Sequence, residues 1–254
     1  MKICSINLRP AKLIVTSMLV IVMLVILLVF SSSQTVYFGY TARLVPIYYV
    51  NTSEKKVAIS FDAAWGADKT SDIIKICQDN GIKATFFLVG FWVEAYPEKV
   101  KEIHDAGFDI GTHSNTHPQM SKLTAAQMAS ELTTSSELIS KITGEKVRFF
   151  RPPYGDYNNL LLTTATNLGL QTIQWDVDSL DWKGLSANQI LTRITTGVKN
   201  GSIILCHNNS DHIVEALPLI ISNLKSAGYT FVKMSELVYE NGYTIDNNGM
   251  QSLN

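Results

Sequence analysis

The 254-residue chain predicts an α/β fold with a parallel sheet, preceded by an apolar N-terminal helix. Three observations carry that expectation. From Lys55 onward, short apolar β-branched or aromatic runs alternate with segments of helical period, most of them stopped by a glycine. Polar, reactive residues collect directly after the strands, where parallel α/β folds build their sites. Ahead of all this lies an uncharged run of membrane-span length. Strict strand–helix alternation pairs strands in parallel with helices outside, which fits a barrel or a doubly wound sheet. No glycine-rich phosphate loop follows any strand, which argues against a nucleotide-binding sheet and against a sugar-phosphate barrel enzyme.

The apolar run is Leu13 to Phe30, LIVTSMLVIVMLVILLVF, preceded by Lys2, Arg9 and Lys12. It is longer than the core of a cleaved signal peptide, and Ser31-Ser32-Ser33-Gln34 makes a poor cleavage site. An uncleaved single-pass anchor is therefore expected at 13–30, with a cytoplasmic tail before it. Basic residues without acidic partners keep that tail inside and export the remainder, which becomes secreted if the segment is cleaved. Removing residues 1–34 takes three positive charges from a net of −1 and leaves −4, with no basic surface for nucleic acid. Of the three cysteines, Cys4 falls on the inner side, and Cys77 and Cys206 read as buried free thiols.

The expected organisation is a tail and anchor over 1–34, a linker over 35–54 with room for one strand packed on the domain, one domain over 55–240 and a loosely ordered tail over 241–254. Within the domain, Val57–Phe61 is a strand and Asp68–Asn80 a helix ending at Gly81. Thr85–Val89 is a strand, Val93–Ala106 a helix and Phe108–Ile110 a strand. Thr124-Ala125-Ala126-Gln127 is a capping box opening a long helix closed by Gly144. Val147–Phe150 is a strand, Leu160–Leu168 a helix and Leu170–Trp175 a strand. Ser186-Ala187-Asn188-Gln189 is a second capping box. Ser202–Leu205, the helix Ile213–Ala227 and Tyr229–Val232 complete the alternation, and Ser235 is placed as the cap of a last short helix. That makes seven strands.

Five strand-end motifs carry the chemistry. They are Phe61-Asp62-Ala63-Ala64-Trp65-Gly66, His113-Ser114-Asn115-Thr116-His117-Pro118, Arg151-Pro152-Pro153-Tyr154-Gly155, Asp176-Val177-Asp178-Ser179-Leu180-Asp181-Trp182 and Leu205-Cys206-His207. Two imidazoles four residues apart in a polar segment can share a metal ion, since neutral imidazole is a common ligand. They could equally be two exposed loop histidines; the four companion motifs on the same edge favour a site. His104 and His212 belong to no motif.

In order and in wording, these motifs resemble the polysaccharide deacetylase family, the NodB homology domain of carbohydrate esterase family 4, over roughly Lys55 to Val238. The wording around Asp62 is most similar to the PdaB-type, sporulation-associated subgroup. The resemblance implies a distorted (β/α)7-type barrel that removes N-acetyl groups from a polysaccharide. It implies Asp62 as the base, Arg151 as its orienting partner, His207 as the acid and Asp181 as the partner of that histidine. By the same resemblance the Tyr154 backbone N–H serves the oxyanion, Trp182 and Leu205 line the acetyl pocket, and His113 and His117 bind a divalent metal, Zn2+ first. Trp65 is a candidate wall of the groove. Asp178 has no assigned role, and neither spacing nor resemblance gives an oligomeric state.

One position departs from the family. Its first motif carries two adjacent aspartates, the second a metal ligand, and here that second position is Ala63. The metal set is reduced to two histidines, with Asp62 itself or Asp68 as conceivable replacements. Two functions are therefore expected in competition. One is an exported N-deacetylase of peptidoglycan, including spore cortex, with chitin-type oligomers as the second substrate. The other is a catalytically weak or inactive glycan-binding barrel.

Overall fold

The computed structural model describes residues 9–31 and 42–254 and divides the chain into two units, Met1–Ala42 and Arg43–Asn254. The described part of the first unit is the helix α1, Arg9–Ser31. The expected span at 13–30 falls within it, but Leu13 and residues 28–30 lie outside the residues whose side chains are described. Counted over the described residues, no helix is long and apolar enough to cross a membrane. Cys4 and the linker residues 35–41 also lie outside the described residues.

The second unit runs β1 (Tyr49–Val50), β2 (Lys56–Ala63), α2 (Thr70–Asp79), β3 (Thr85–Leu88), α3 (Gly90–Ala95), α4 (Pro97–Asp105) and β4 (Asp109–Thr112). It continues with α5 (Ala125–Thr143), β5 (Phe149–Phe150), α6 (Asn159–Asn167), β6 (Gln171–Thr172), β7 (Val177–Asp178), α7 (Ala187–Gly197) and β8 (Ile203–His207). It ends with α8 (Ile213–Ser226), β9 (Thr230–Phe231), α9 (Met234–Leu237), β10 (Tyr243–Ile245) and β11 (Met250–Leu253). The main sheet has the order β6-β5-β4-β3-β2-β8-β7, with β9 added on β2, and its pairings are parallel. No pairing joins β6 to β7 among the described residues, so this is an opened barrel rather than a closed one.

The period-2 pattern of β2 sorts its side chains between two cores. Val57, Ile59, Phe61 and Ala63 face the helical layer together with Phe86, Leu88, Ile204 and Cys206. Ala58 faces the interior with Phe87, Phe149 and Ile203. Ser60 and Asp62 continue that inner face upward, so an apolar floor built on Phe87 carries the polar residues of the C-terminal edge. Gly111 on β4 makes the inner packing possible: a Cβ there would lie 2.7 Å from the Phe87 ring and 2.9 Å from the Phe149 carbonyl.

Both capping boxes are formed, at Thr124/Gln127 and at Ser186/Gln189, and Gly144 closes α5 in the left-handed conformation at φ 73°. Other expectations need correction. The helix expected over Val93–Ala106 is two helices, because Pro97 cannot donate within a helix and starts α4 afresh after the non-helical Tyr96. The strand expected over Leu170–Trp175 keeps only Gln171–Thr172, and a separate strand, β7, lies within the aspartate motif. Ser235 is not a cap: it sits inside α9, while the Lys233 N–H donates to Glu236.

Residues 241–254 are not a loose tail. β10 and β11 form an antiparallel pair, and β11 pairs in parallel with β1, giving a three-stranded sheet. Buried Gln251 fixes it, its amide donating to the Tyr239 carbonyl and accepting from the Tyr239 N–H. Residues 47–50 of the expected linker thus belong to the folded unit, with Ile47 bridged to Ile173 and Tyr49 to Ser202.

Candidate active site

The structure brings the nine residues singled out from sequence to one edge of the sheet. Asp62, His113, His117, Tyr154, Asp181, Trp182, Leu205 and His207 line a cleft of about 670 Å³, and Arg151 lies behind Asp62. Asp62 and His207 are register partners on adjacent strands, which places a carboxylate and an imidazole side by side without any long-range adjustment.

Arg151 is fully buried and holds Asp62 through Nη1–Oδ1 at 2.8 Å. Nη1 also donates to Ser60 Oγ at 2.8 Å, Nη2 donates to the Gln174 carbonyl at 3.1 Å, and the guanidinium carbon lies 4.1 Å from the Phe87 ring centre. Burial pushes the Asp62 carboxyl up, but Arg151, His113 and His207 outweigh it and hold it below the usual carboxylate range. Asp62 is therefore an ionised carboxylate with one oxygen, Oδ2, left toward the cleft.

On the other side, His207 Nδ1 donates to Asp181 Oδ1 at 2.8 Å. Asp181 Oδ2 accepts from the His207 N–H and from Ser210 Oγ, at 2.8 and 2.9 Å. The carboxylate is thus fixed at both oxygens, and Nε2 of His207 is left for the cleft. Burial alone pushes this imidazole down; the bond and charge of Asp181, aided by Asp62 and Asp178, reverse that and raise its pKa. A carboxylate held toward its ionised form and an imidazole held toward its protonated form face one cavity.

His113 Nδ1 donates to the Arg151 carbonyl at 2.7 Å, which fixes the tautomer and leaves Nε2, 3.5 Å from Asp62 Oδ2, as the free nitrogen. The His117 ring is packed among Tyr154, Trp65 and His113 at centroid distances of 4.6, 4.9 and 5.0 Å. Burial and the neighbouring His113 push it down to about 4, and its Nδ1 is buried with no hydrogen-bond partner among the described residues. These are the properties of neutral ligating imidazoles.

A third ligand is missing. Ala63 turns its Cβ to the helical layer, and Asp68 is exposed and off the cleft lining. Among the described residues no group of three or more histidines, cysteines, aspartates or glutamates could hold a metal. Asp62 Oδ2 is near, but as a ligand it is lost as a base. The donor set does not complete a three-ligand catalytic site.

Several residues that hold the site escaped the sequence. Glu131 on α5 accepts from the Asn115 and Thr116 N–H groups at 2.8 and 2.7 Å and from Thr116 Oγ1 at 2.7 Å, clamping the loop between the two histidines. Ser135 reinforces it from the same helix through Thr112. Nothing in sequence marks Glu131, which reads as an ordinary helix-surface acid. Ser60 was findable, two residues before Asp62 on the same face. The four non-glycine residues with positive φ among those described, Ser114, His117, Tyr154 and Leu180, all lie in these strand-end loops. Glu131→Gln is expected to cost about 1–3 kcal/mol in urea unfolding, since charged acceptors of several N–H groups are hard to replace. An unchanged midpoint would show the loop to be held by its own backbone.

Comparison with known proteins agrees with this geometry. Residues 49–173 match the family model for polysaccharide deacetylase. A peptidoglycan-N-acetylglucosamine deacetylase of Bacillus cereus is 33% identical over 73% of this chain and 69% of its own length. The chain belongs to the polysaccharide deacetylase family. Its relatives include the peptidoglycan-N-acetylmuramic acid deacetylase PdaA of Bacillus subtilis, 32% identical over 76% of this chain and 75% of that protein. The chain spans only 61% of a further relative, the uncharacterized protein YlxY of Bacillus subtilis, at 34% identity. A solved carbohydrate esterase family 4 pseudoenzyme from Bacillus anthracis superposes with a TM-score of 0.75, at 35% identity over 77% of this chain and 69% of that one. A mutant of that pseudoenzyme with restored enzymatic activity is equally similar, at 36% identity. The polysaccharide deacetylase fold thus accounts for the opened parallel barrel, and the family is one of hydrolases acting on N-acetyl amide bonds.

Proposed function

We propose that the chain is an exported N-deacetylase of cell-wall glycan, acting on peptidoglycan and secondarily on chitin-type oligomers. The observation that carries this reading is the facing pair of couples, Asp62 with Arg151 and His207 with Asp181, on adjacent strands in one cleft. In this reading Asp62 Oδ2 takes a proton from the attacking water. The Tyr154 N–H, carried on a left-handed residue, receives the oxyanion, and His207 Nε2 gives its proton to the departing amine. Divalent metal, Zn2+ first, is part of the proposal only as far as His113 and His117 extend, and no step is routed through it. Residues 13–30 serve as a membrane anchor with the N-terminus inside, and the PdaB-type wording around Asp62 supports a role in spore cortex.

A second reading has its own support. With Ala63 in place of a ligand, and with a pseudoenzyme among similar structures, the chain could bind glycan with little turnover. One experiment separates the two. Acetate release from peptidoglycan and chitooligosaccharides by the full-length chain, with and without chelator or added Zn2+, is expected above the level of an Asp62→Asn control. Glycan binding without acetate under every metal condition would establish the binding protein instead.

A further inference from the structure

Resting on the glycan reading above, we propose that this cleft selects by charge, admitting uncharged N-acetylhexosamines and disfavouring sugars that carry a carboxylate, with Asp178 and Asp211 as the discriminating groups. The two hexosamines of a peptidoglycan strand differ by the lactyl ether on O3, which ends in a carboxylate wherever no peptide is attached to it. Relatives acting on each are equally distant from this chain, at 33% and 32% identity, so overall likeness does not decide between them. The cleft's own charges do.

Four carboxylates line the cleft, Asp62, Asp178, Asp181 and Asp211, and no lysine or arginine appears among its described lining residues. Two of the four are matched locally. Asp62 has Arg151 at 2.8 Å and Asp181 has His207 at 2.8 Å. Asp178 and Asp211 are not matched in this way. Asp178 Oδ1 accepts the Leu180 N–H at 2.9 Å, and Arg193 on α7 reaches only its backbone carbonyl, at 3.2 Å. Asp211 is 81% exposed, and its cation, Lys69, stands 4.0 Å away while donating to the Ser210 carbonyl at 2.8 Å. Lys183, the remaining cation nearby, lies over the Trp182 ring at 5.0 Å. A sugar carboxylate entering this cleft meets two under-compensated like charges, while His207, an imidazole on the cleft, is already bonded to Asp181.

What the rim offers instead suits a neutral ring. Trp65, Tyr154 and Trp182 are each more than half exposed around the cleft, presenting apolar faces on which a pyranose can lie without ionic help. Attraction here is by area, and selection is by repulsion.

The test compares equilibrium binding of three tetrasaccharides to the full-length chain by tryptophan fluorescence. They are tetra-N-acetylchitotetraose, the alternating N-acetylglucosamine–N-acetylmuramic acid tetrasaccharide, and the latter with its lactyl carboxylates converted to methylamides. Chitotetraose and the amide are expected to bind alike, and the acid form about tenfold more weakly at low ionic strength. That gap should close in about 1 M salt, where exposed charges are screened within about 3 Å. Asp211→Asn, at an exposed position outside the acid–base couples, should narrow it, and Asp178→Asn should narrow it further with an unchanged circular dichroism spectrum. Equal or tighter binding of the acid form at low salt overturns charge selection and leaves the glycan reading standing. Binding of none of the three overturns the glycan reading and this inference together.

Discussion

Replacing Arg151 by leucine is expected to destabilise the folded unit by about 3–5 kcal/mol, because it leaves the Asp62 carboxylate buried without its cation. Arg151 also bonds Ser60 and the Gln174 carbonyl and covers the Phe87 ring, so packing and charge are lost together. A double-mutant cycle divides them: adding Asp62→Asn to the leucine variant should recover part of the loss in urea unfolding at neutral pH. No recovery would mean that the arginine matters here as packing alone. The pH dependence has a definite sign. Asp62 titrates lower in the folded state than in the unfolded chain, so the pair stabilises fully above about pH 4. That contribution is lost as pH falls through the lower, folded-state value. Asp62→Asn should therefore flatten the acid limb of the stability curve.

The second large effect concerns the acid. If the chain deacetylates glycan, His207→Ala should lower kcat by about 10²–10⁴-fold while KM changes little, since the proton is delivered only as the amine leaves. Asp181→Asn is the subtler probe. Asp181 keeps His207 protonated to higher pH, so its removal should draw the alkaline limb of the kcat profile to lower pH. A profile that falls in height but keeps its position would assign Asp181 to holding the ring in place and not to setting its charge.

The core of this fold was legible because its signals are local. Glycine stops, two capping boxes and period-2 or 3.6 apolar patterns each act over a few residues, and β2, α5 and α7 appear where they predict. The strand-end rule then located the cleft, because β2, β4, β5 and β8 all deliver their polar residues to one edge. What escaped depends on distant parts of the chain. Residues 241–254 look polar and aperiodic because β10 and β11 owe their order to β1, almost the whole domain away. Glu131 owes its role to a loop it reaches only once α5 is docked. Pro97 is a local signal for the break between α3 and α4, masked by the helical period on both sides of it. Ala63 showed the missing ligand plainly, and the alternation of β2 packs its side chain into the core cluster beneath the helices.

The pairing of β1 with β11 has a consequence for how the domain is made. Tyr49 and Val50 find their partners in Met250 and Gln251, a contact separated by nearly the whole chain. During synthesis the earliest strand of the domain must wait for its β11 partner until residues 250 and 251 have emerged. High contact order of this kind slows the final step and exposes an edge meanwhile. A nascent chain halted before β10 would hold all the lining residues of the cleft in sequence but lack the seam that fastens the domain's beginning to its end.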